Sequence, residues 1–485
     1  KVPPSHCASI VTVLRFVASS NTLVMALPRP RSLVLSPSVL PLRSHTLKTP
    51  SHVVRPLVPS QLVAAPNPGL VANLLVLNRI LAGMQNPRAP RPDPAQIHLT
   101  ADALAHSESV TTHLREHLAQ RGGWMPFVQF MHEALYAPGL GYYAAGLAKL
   151  ATRDTLDNPG SAAGDFVTAP ELSPAFGFTL AQQVAQVLKN HPNFHADQYP
   201  NPNPTIIEFG AGSGQLAHDV LTALSDLGCH PTYYILEVSA DLRQRQQSRL
   251  APWQSQVQWL DDLPTDFEGV VLANEVLDAM PVHLVGWGAN ESVFERGVVW
   301  QDDHFAWQDQ PASDVVASAL RAKMPPLPGY VTEINLAAQA WVGQIANWLK
   351  WGAAFLIDYG FTEREYYHPQ RSSGTLMCHI QHRSHANPLI LPGLQDITAH
   401  VDFTAMAHAA HDAGLDVMGY TSQARFLLNA GLLELLPTLE PHQQRGIDKL
   451  ISEAEMGELF KVLAIGRGID FELKGFTQSD RRHQL

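Results

Sequence analysis

The segment Glu208-Phe-Gly210-Ala-Gly212-Ser-Gly214 sets three glycines at alternate positions, after the short apolar run Thr205 to Phe209 and before a helical pattern from Leu216 to Leu227. Where a strand gives way to a helix, glycines let the backbone turn tightly and let a ligand approach the main chain without meeting a Cβ. Dinucleotide-binding turns place their third glycine one position later, where this chain has Gln215. The G-x-G-x-G form instead suits S-adenosylmethionine, which has no pyrophosphate to cradle. Gly210, Gly212 and Gly214 are therefore expected against that cofactor, with Glu208 serving its methionine end. Glu237 closes the next strand, Thr232 to Glu237, and is placed to accept two ribose hydroxyls.

A second polar cluster, Asn274-Glu275-Val-Leu-Asp278-Ala-Met-Pro281, stands at the carboxyl end of the apolar run Gly269 to Ala273. Open parallel sheets bind ligands at strand carboxyl ends, so these side chains are expected to face a transferable methyl group. Methyl transfer is an in-line displacement at a sulfonium; the protein must position the nucleophile and, where needed, remove its proton. Glu275 and Asp278 could clamp a guanidinium through charge-assisted hydrogen bonds. If Asp278 instead caps a following helix, Glu275 and Asn274 remain as the catalytic candidates. His379, His382 and His385 beside Cys378 have an H-x-x-H-x-x-H spacing, but they lie next to Arg383 and end at Asn387-Pro388. The stretch reads as a hydrogen-bonded loop, and no metal is expected.

These clusters need a scaffold, and the surrounding text supplies one. Apolar runs at 205–209, 232–237, 269–273 and 353–358 alternate with helical patterns at 178–188, 216–227 and 240–249. Repeated β-α-β units of this kind specify an α/β fold with a mostly parallel sheet covered by helices on both faces. Val282 to Trp307 has the look of inserted hairpins around Gly288-Ala-Asn290 and Asp302-Asp303. Helical patterns at Val110 to Arg121 and Phe127 to Leu135 precede the turn Tyr136 to Tyr143. The expected organisation is a leader over 1–92, a helical part with a covering loop over 100–200, a core over 201–470 with insertions at 282–330 and 359–402, and a tail over 471–485.

A formal net charge of −11 argues against a nucleic-acid surface. Three scattered cysteines make no disulfide framework, and no apolar run reaches the length of a bilayer span. The stretch before Asp93 has ten Lys and Arg and no acid. It reads either as an extension upstream of a start at Met84, with a bacterial cytoplasmic protein, or as a transit peptide to the mitochondrial matrix.

Long strings now add to this reading: Gly164-Asp-Phe-Val-Thr-Ala-Pro-Glu171-Leu-Ser-Pro-Ala-Phe-Gly177, the glycine turn at 208–214, Asn274 to Pro281, Ile357-Asp-Tyr-Gly360, Gly374 to Cys378 and Asp396-Ile-Thr-Ala-His-Val-Asp-Phe403. Over roughly 123–468 the chain resembles the MidA-like S-adenosylmethionine-dependent methyltransferases, a family that includes the mitochondrial complex I assembly factor, a protein arginine methyltransferase. The resemblance implies a Rossmann-like class I methyltransferase with a seven-stranded sheet. It implies that Gly164, Asp165, Thr168, Pro170 and Glu171 form a loop against the cofactor, and that Asp396, Thr398 and His400 line the same cleft. It also implies a protein substrate, an arginine of a complex I subunit, admitted by a cleft built from Val282 to Trp307 and Tyr359 to His400. A non-catalytic assembly factor that uses the fold to bind a partner is the alternative. A nicotinamide-dependent oxidoreductase is disfavoured by Gln215.

Overall fold

The computed structural model describes residues 99–145, 167–192, 201–381 and 383–485. The leader expected over 1–92, and with it Gly164 and Asp165, lie outside the described residues. Seven strands form the body of the main sheet: β1 Asn201–Phe209, β2 Pro231–Leu236, β3 Val257–Leu260, β4 Phe267–Asn274, β5 Leu349–Phe361, β6 Asp416–Ser422 and β7 Phe460–Arg467; an eighth, two-residue strand, Val401–Asp402, pairs parallel to the end of β5. Their order is 3-2-1-4-5-7-6, with β1 to β5 parallel and β7 antiparallel to both neighbours. The seven-strand path is therefore the mostly parallel sheet expected, with the short strand Val401–Asp402 added beside β5.

Strand residues alternate between two cores because successive side chains leave a strand on opposite faces. Ile206, Val270, Leu272 and Phe355 pack with helices Pro174–Lys189 and Gln215–Asp226. Ile207, Val271, Ala354 and Leu356 pack with helices Leu336–Trp348 and Phe403–Asp412 on the other face. Burial on both sides explains why β4 and β5 read as unbroken apolar runs. The chain order reverses between β1 and β4, which opens a crevice at their carboxyl ends.

A cap stands over that crevice. Helix α1 (Ala101–Gln120) and helix α2 (Phe127–Tyr136) flank a short strand, Trp124–Pro126. That strand pairs antiparallel with Val293–Gln301, in a sheet completed by His283–Trp287, His304–Pro311 and Val331–Ile334. The expected hairpins thus form one five-stranded sheet with a piece of the N-terminal part, and Leu114, Phe130, Met131, Val298 and Ile397 share its core.

Several expectations need correction. Helix α1 begins at Ala101, not Val110, because Thr100 Oγ1 accepts the Ala103 N–H at 3.2 Å; its first turns are largely exposed and carry no apolar period. His379 and His385 are not on a loop: strand Met377–Ile380 pairs with Arg383–His385 and Asp396–Thr398. Residues 471–485 are packed, with Phe476 buried and the Arg481 N–H donated to Tyr420 O at 2.6 Å. Residues 423–459, between β6 and β7, form short helices that add a wall to the crevice. No helix among the described residues is long and apolar enough to cross a membrane.

Candidate active site

The turn after β1 uses its glycines for two purposes. Gly210, Gly212 and Gly214 all have left-handed backbones, with φ of +62°, +53° and +80°. Gly210 and Gly212 line a cavity of about 1270 Å³ in the crevice. Gly214 does not: a Cβ there would sit 3.3 Å from Cγ of Gln246, so its role is close packing. Buried Gln246 donates from Nε2 to Gly212 O and to Glu237 Oε2, both at 2.9 Å, and accepts from Trp259 Nε1. Glu237 Oε1 takes the Ser239 N–H at 2.9 Å, so both oxygens of the carboxyl are held in place at the edge of the cavity. Glu208 accepts from Tyr233 Oη at 2.7 Å, and burial pushes its carboxyl up to about 7.

The loop after β4 is held from behind. Asp358, fully buried in β5, accepts the N–H groups of Leu277 at 3.0 Å, Asp278 at 3.2 Å and Tyr359 at 2.9 Å. Those bonds fix a turn rather than a helix after Asp278, so Asp278 is not a helix cap. It receives the Tyr359 hydroxyl on Oδ2, while its Oδ1 and Asn274 Oδ1 are shielded from solvent with no hydrogen-bond partner among the described residues. Glu275 has a left-handed backbone, φ +53°, an uncommon state for a residue with a Cβ. Its N–H reaches Ile357 O at 2.9 Å, and its Oε1 accepts from Asn274 Nδ2 at 3.1 Å and the Ala169 N–H at 3.4 Å.

Opposite stands the cap. Tyr143 donates to Asp396 Oδ1 at 2.7 Å and stacks on Tyr136, whose hydroxyl bonds Ala279 O at 2.9 Å. His400 stacks on Phe361 with ring centroids 5.1 Å apart, and burial lowers its pKa to about 4, so it is neutral. Burial pushes Glu275 up to about 8, helped by the Asp278 charge; it raises Asp278 to about 6 against the Tyr359 hydrogen bond. With Glu208 and Glu237 the cavity wall carries several buried carboxyls, an environment that favours cations.

The comparisons with known proteins address the same fold. Residues 179–421 match the family described as "Putative S-adenosyl-L-methionine-dependent methyltransferase". The chain belongs to this methyltransferase family. It is 47% identical to a Burkholderia thailandensis protein whose crystal structure holds S-adenosyl-homocysteine; the match covers 82% of this chain and 100% of that one, with a TM-score of 0.72. It is 29% identical over 427 residues to the mitochondrial protein arginine methyltransferase NDUFAF7 homologue of Drosophila melanogaster, covering 78% of this chain and 90% of that one. The human mitochondrial protein arginine methyltransferase NDUFAF7 is 25% identical over 408 residues. The cofactor of the methyltransferase is S-adenosyl-L-methionine.

Two sequence segments meet in one cavity: Asn274, Glu275 and Asp278 from one, and Glu208 and Glu237 around the glycines from the other. Thr168, Pro170 and Glu171 also reach its wall, Glu171 accepting from the Ser213 hydroxyl with Arg249 at 3.6 Å. Asp396 and His400 line it, while Thr398 and Gly214 are absent from the lining. From sequence, Asp358 and Tyr359 stood only inside the string Ile357 to Gly360 and Tyr143 only at the end of a turn; these three and Gln246 were given no role at the site. Asp358 had a readable signal: it is an acid closing an apolar run, as Glu208 nearly does in β1. The wall from His442 to Leu459 had none.

Proposed function

We propose that this methyltransferase modifies an arginine side chain of a protein, with Glu275 and Asp278 gripping the guanidinium. One observation carries the reading: the partly buried Glu275 and the buried Asp278 sit side by side on the cavity wall, Asp278 Oδ1 has no hydrogen-bond partner among the described residues, and no Lys or Arg is among the leading influences on either carboxyl. A buried acid without a counter-ion costs several kcal/mol to ionise, so a cationic guest that supplies the charge is strongly favoured. The names of the relatives at 25–29% identity, protein arginine methyltransferases, agree with this. The cavity, about 1270 Å³, exceeds the roughly 300 to 1,000 Å³ typical of small-ligand sites, which leaves room for a side chain beside the cofactor.

The residues present fit the cofactor. Gly210 and Gly212 offer a wall without a Cβ, and Glu208, Glu237, Thr168, Pro170 and Glu171 line the same cavity; in this reading Glu237 takes the ribose hydroxyls, Glu208 serves the methionine end and the other three cover the ligand. When bound, S-adenosylmethionine supplies a methyl group on a positively charged sulfur. Glu275 and Asp278 hold the guanidinium so that one nitrogen faces that methyl, Asn274 Oδ1 accepts from a second nitrogen, and a carboxylate takes the proton the nucleophile loses.

Because Gln246 orients both Glu237 and the Gly212 carbonyl, Gln246→Ala should raise Kd for S-adenosyl-homocysteine about tenfold, the worth of one or two hydrogen bonds, as read by calorimetry. The pH profile follows from the raised carboxyls. Glu275 is protonated in the empty cavity at neutral pH and must ionise to grip a cation. So kcat/KM should climb with pH about tenfold per unit below an apparent pKa near 8. A profile flat from pH 6 to 9 would remove Glu275 from this role.

The decisive experiment supplies labelled S-adenosylmethionine with purified complex I subunits, the first substrate to try by resemblance, and then hydrolyses the products to amino acids. Methylarginine made by the wild type and lost in Glu275→Gln is expected. Cofactor binding with no label in any protein would favour a partner-binding assembly factor instead.

A further inference from the structure

We propose that His113, His117 and Glu133 form a divalent-metal site, suited to zinc, that clasps α1 to α2 outside the cavity. His113 and His117 are one turn apart on α1 and so share a face, while Glu133 comes from α2. His113 Nε2 lies 2.9 Å from Glu133 Oε2, and His117 Nδ1 lies 3.4 Å from Glu133 Oε1. The three ligand atoms fall within 4.8 Å of one another. Bonds of about 2.0 to 2.2 Å in a tetrahedron place neighbouring ligand atoms about 3.3 Å apart, so only small side-chain adjustments are needed.

Two further details point to a ligand. His117 Nδ1 is shielded from solvent yet has no hydrogen-bond partner among the described residues, although it is close to the carboxylate. The His113 and His117 rings sit tilted with centroids 4.3 Å apart, close enough for both to reach one ion. The three side chains are 18 to 27% exposed, which leaves a fourth position for water. A set of two imidazoles and one carboxylate is chemically matched to zinc. His132 Nδ1, 3.8 Å from Glu133 Oε1, is placed to orient the carboxylate from the next shell.

The clasp has a use in the fold. Tyr136, one turn beyond Glu133 on α2, bonds Ala279 O beside the Asn274–Pro281 loop, so fixing α2 against α1 steadies that wall.

The test uses the untagged full-length chain, stripped with chelator and titrated with zinc against a chromophoric competitor, with metal content read by mass spectrometry after gel filtration. A single zinc per chain is expected, with affinity at least about 100-fold weaker in His117→Ala and in His113→Gln, and about tenfold weaker in His132→Ala. Cobalt should give the visible bands of a four-coordinate ion in the wild type and lose them in both ligand variants. Circular dichroism establishes that each variant is folded. Absence of stoichiometric zinc in the wild type, or zinc retention by folded His117→Ala and Glu133→Gln equal to that of the wild type, would overturn the proposal.

Discussion

Glu275→Gln should make the cofactor-free methyltransferase more heat-stable while lowering kcat/KM by about three orders of magnitude, the range over which a positioned acid–base group acts. Both halves come from one cause. Glu275 has its carboxyl raised from 4.5 to about 8, chiefly by burial. The folded state therefore prefers the protonated form, and its stability relative to the unfolded chain falls as pH rises from about 4.5 through 8. Glutamine keeps the shape and the neutral charge without that loss. The gain should be near zero at pH 4.5, grow across neutrality and level off above pH 8, which thermal melts at a series of pH values can follow. A variant less stable than wild type at pH 8.5 would mean that the carboxylate is a structural partner. The left-handed backbone at Glu275 points the same way: a strained residue kept at a partly buried turn is a common mark of function.

Gly269→Ala should destabilise the fold severely. Gly269 in β4 has φ +144°, and a Cβ there would lie 1.8 Å from Thr205 O on the neighbouring strand β1. Gly352, its register partner on β5, repeats the arrangement, with φ +126° and a Cβ that would lie 1.8 Å from Gly269 O. The obstacle is main chain inside the sheet, not the end of a flexible side chain. Overpacking costs about 1 to 3 kcal/mol where side chains can yield, and backbone strain at positive φ adds about as much again. Together these come to about 2 to 6 kcal/mol, a large share of the stability of a typical domain. Loss of soluble expression, or a melting point lowered by well over ten degrees, is expected; a variant that melts like the wild type would show that β1 and β4 can separate at little cost.

The catalytic half of the fold was legible because its signals are local. A strand, a glycine turn and a helix are consecutive in sequence, and acids that close apolar runs fall at the same end of a parallel sheet; Glu208, Glu237 and Asn274 to Asp278 could be placed from those facts alone. The cap was not legible, for a physical reason. Trp124 to Pro126 meet Val299 to Gly297 across a gap of more than 170 residues, and nothing near either segment names its partner. The short helices of 423–459 are interrupted at Gly431, Pro437 and Gly446, so they leave no sustained period. The same remoteness hid Tyr143, which reaches Asp396 only because the cap is folded over the core. His379 and His385 show the converse error: polar residues on three- and four-residue strands read as loop, since so short an alternation cannot be told from chance.

The pairing of Trp124–Pro126 with Gly297–Val299 has a consequence during synthesis. Helices α1 and α2 leave the ribosome early, yet Leu114, Phe130 and Met131 can bury their side chains only when the segment near Val298 has emerged. For the time it takes to translate the intervening stretch, at about 5 to 20 residues per second, the nascent chain presents an apolar surface with nothing to cover it. The roof of the reaction chamber is thus begun first and finished late, and chaperones have their strongest claim on the molecule in that interval.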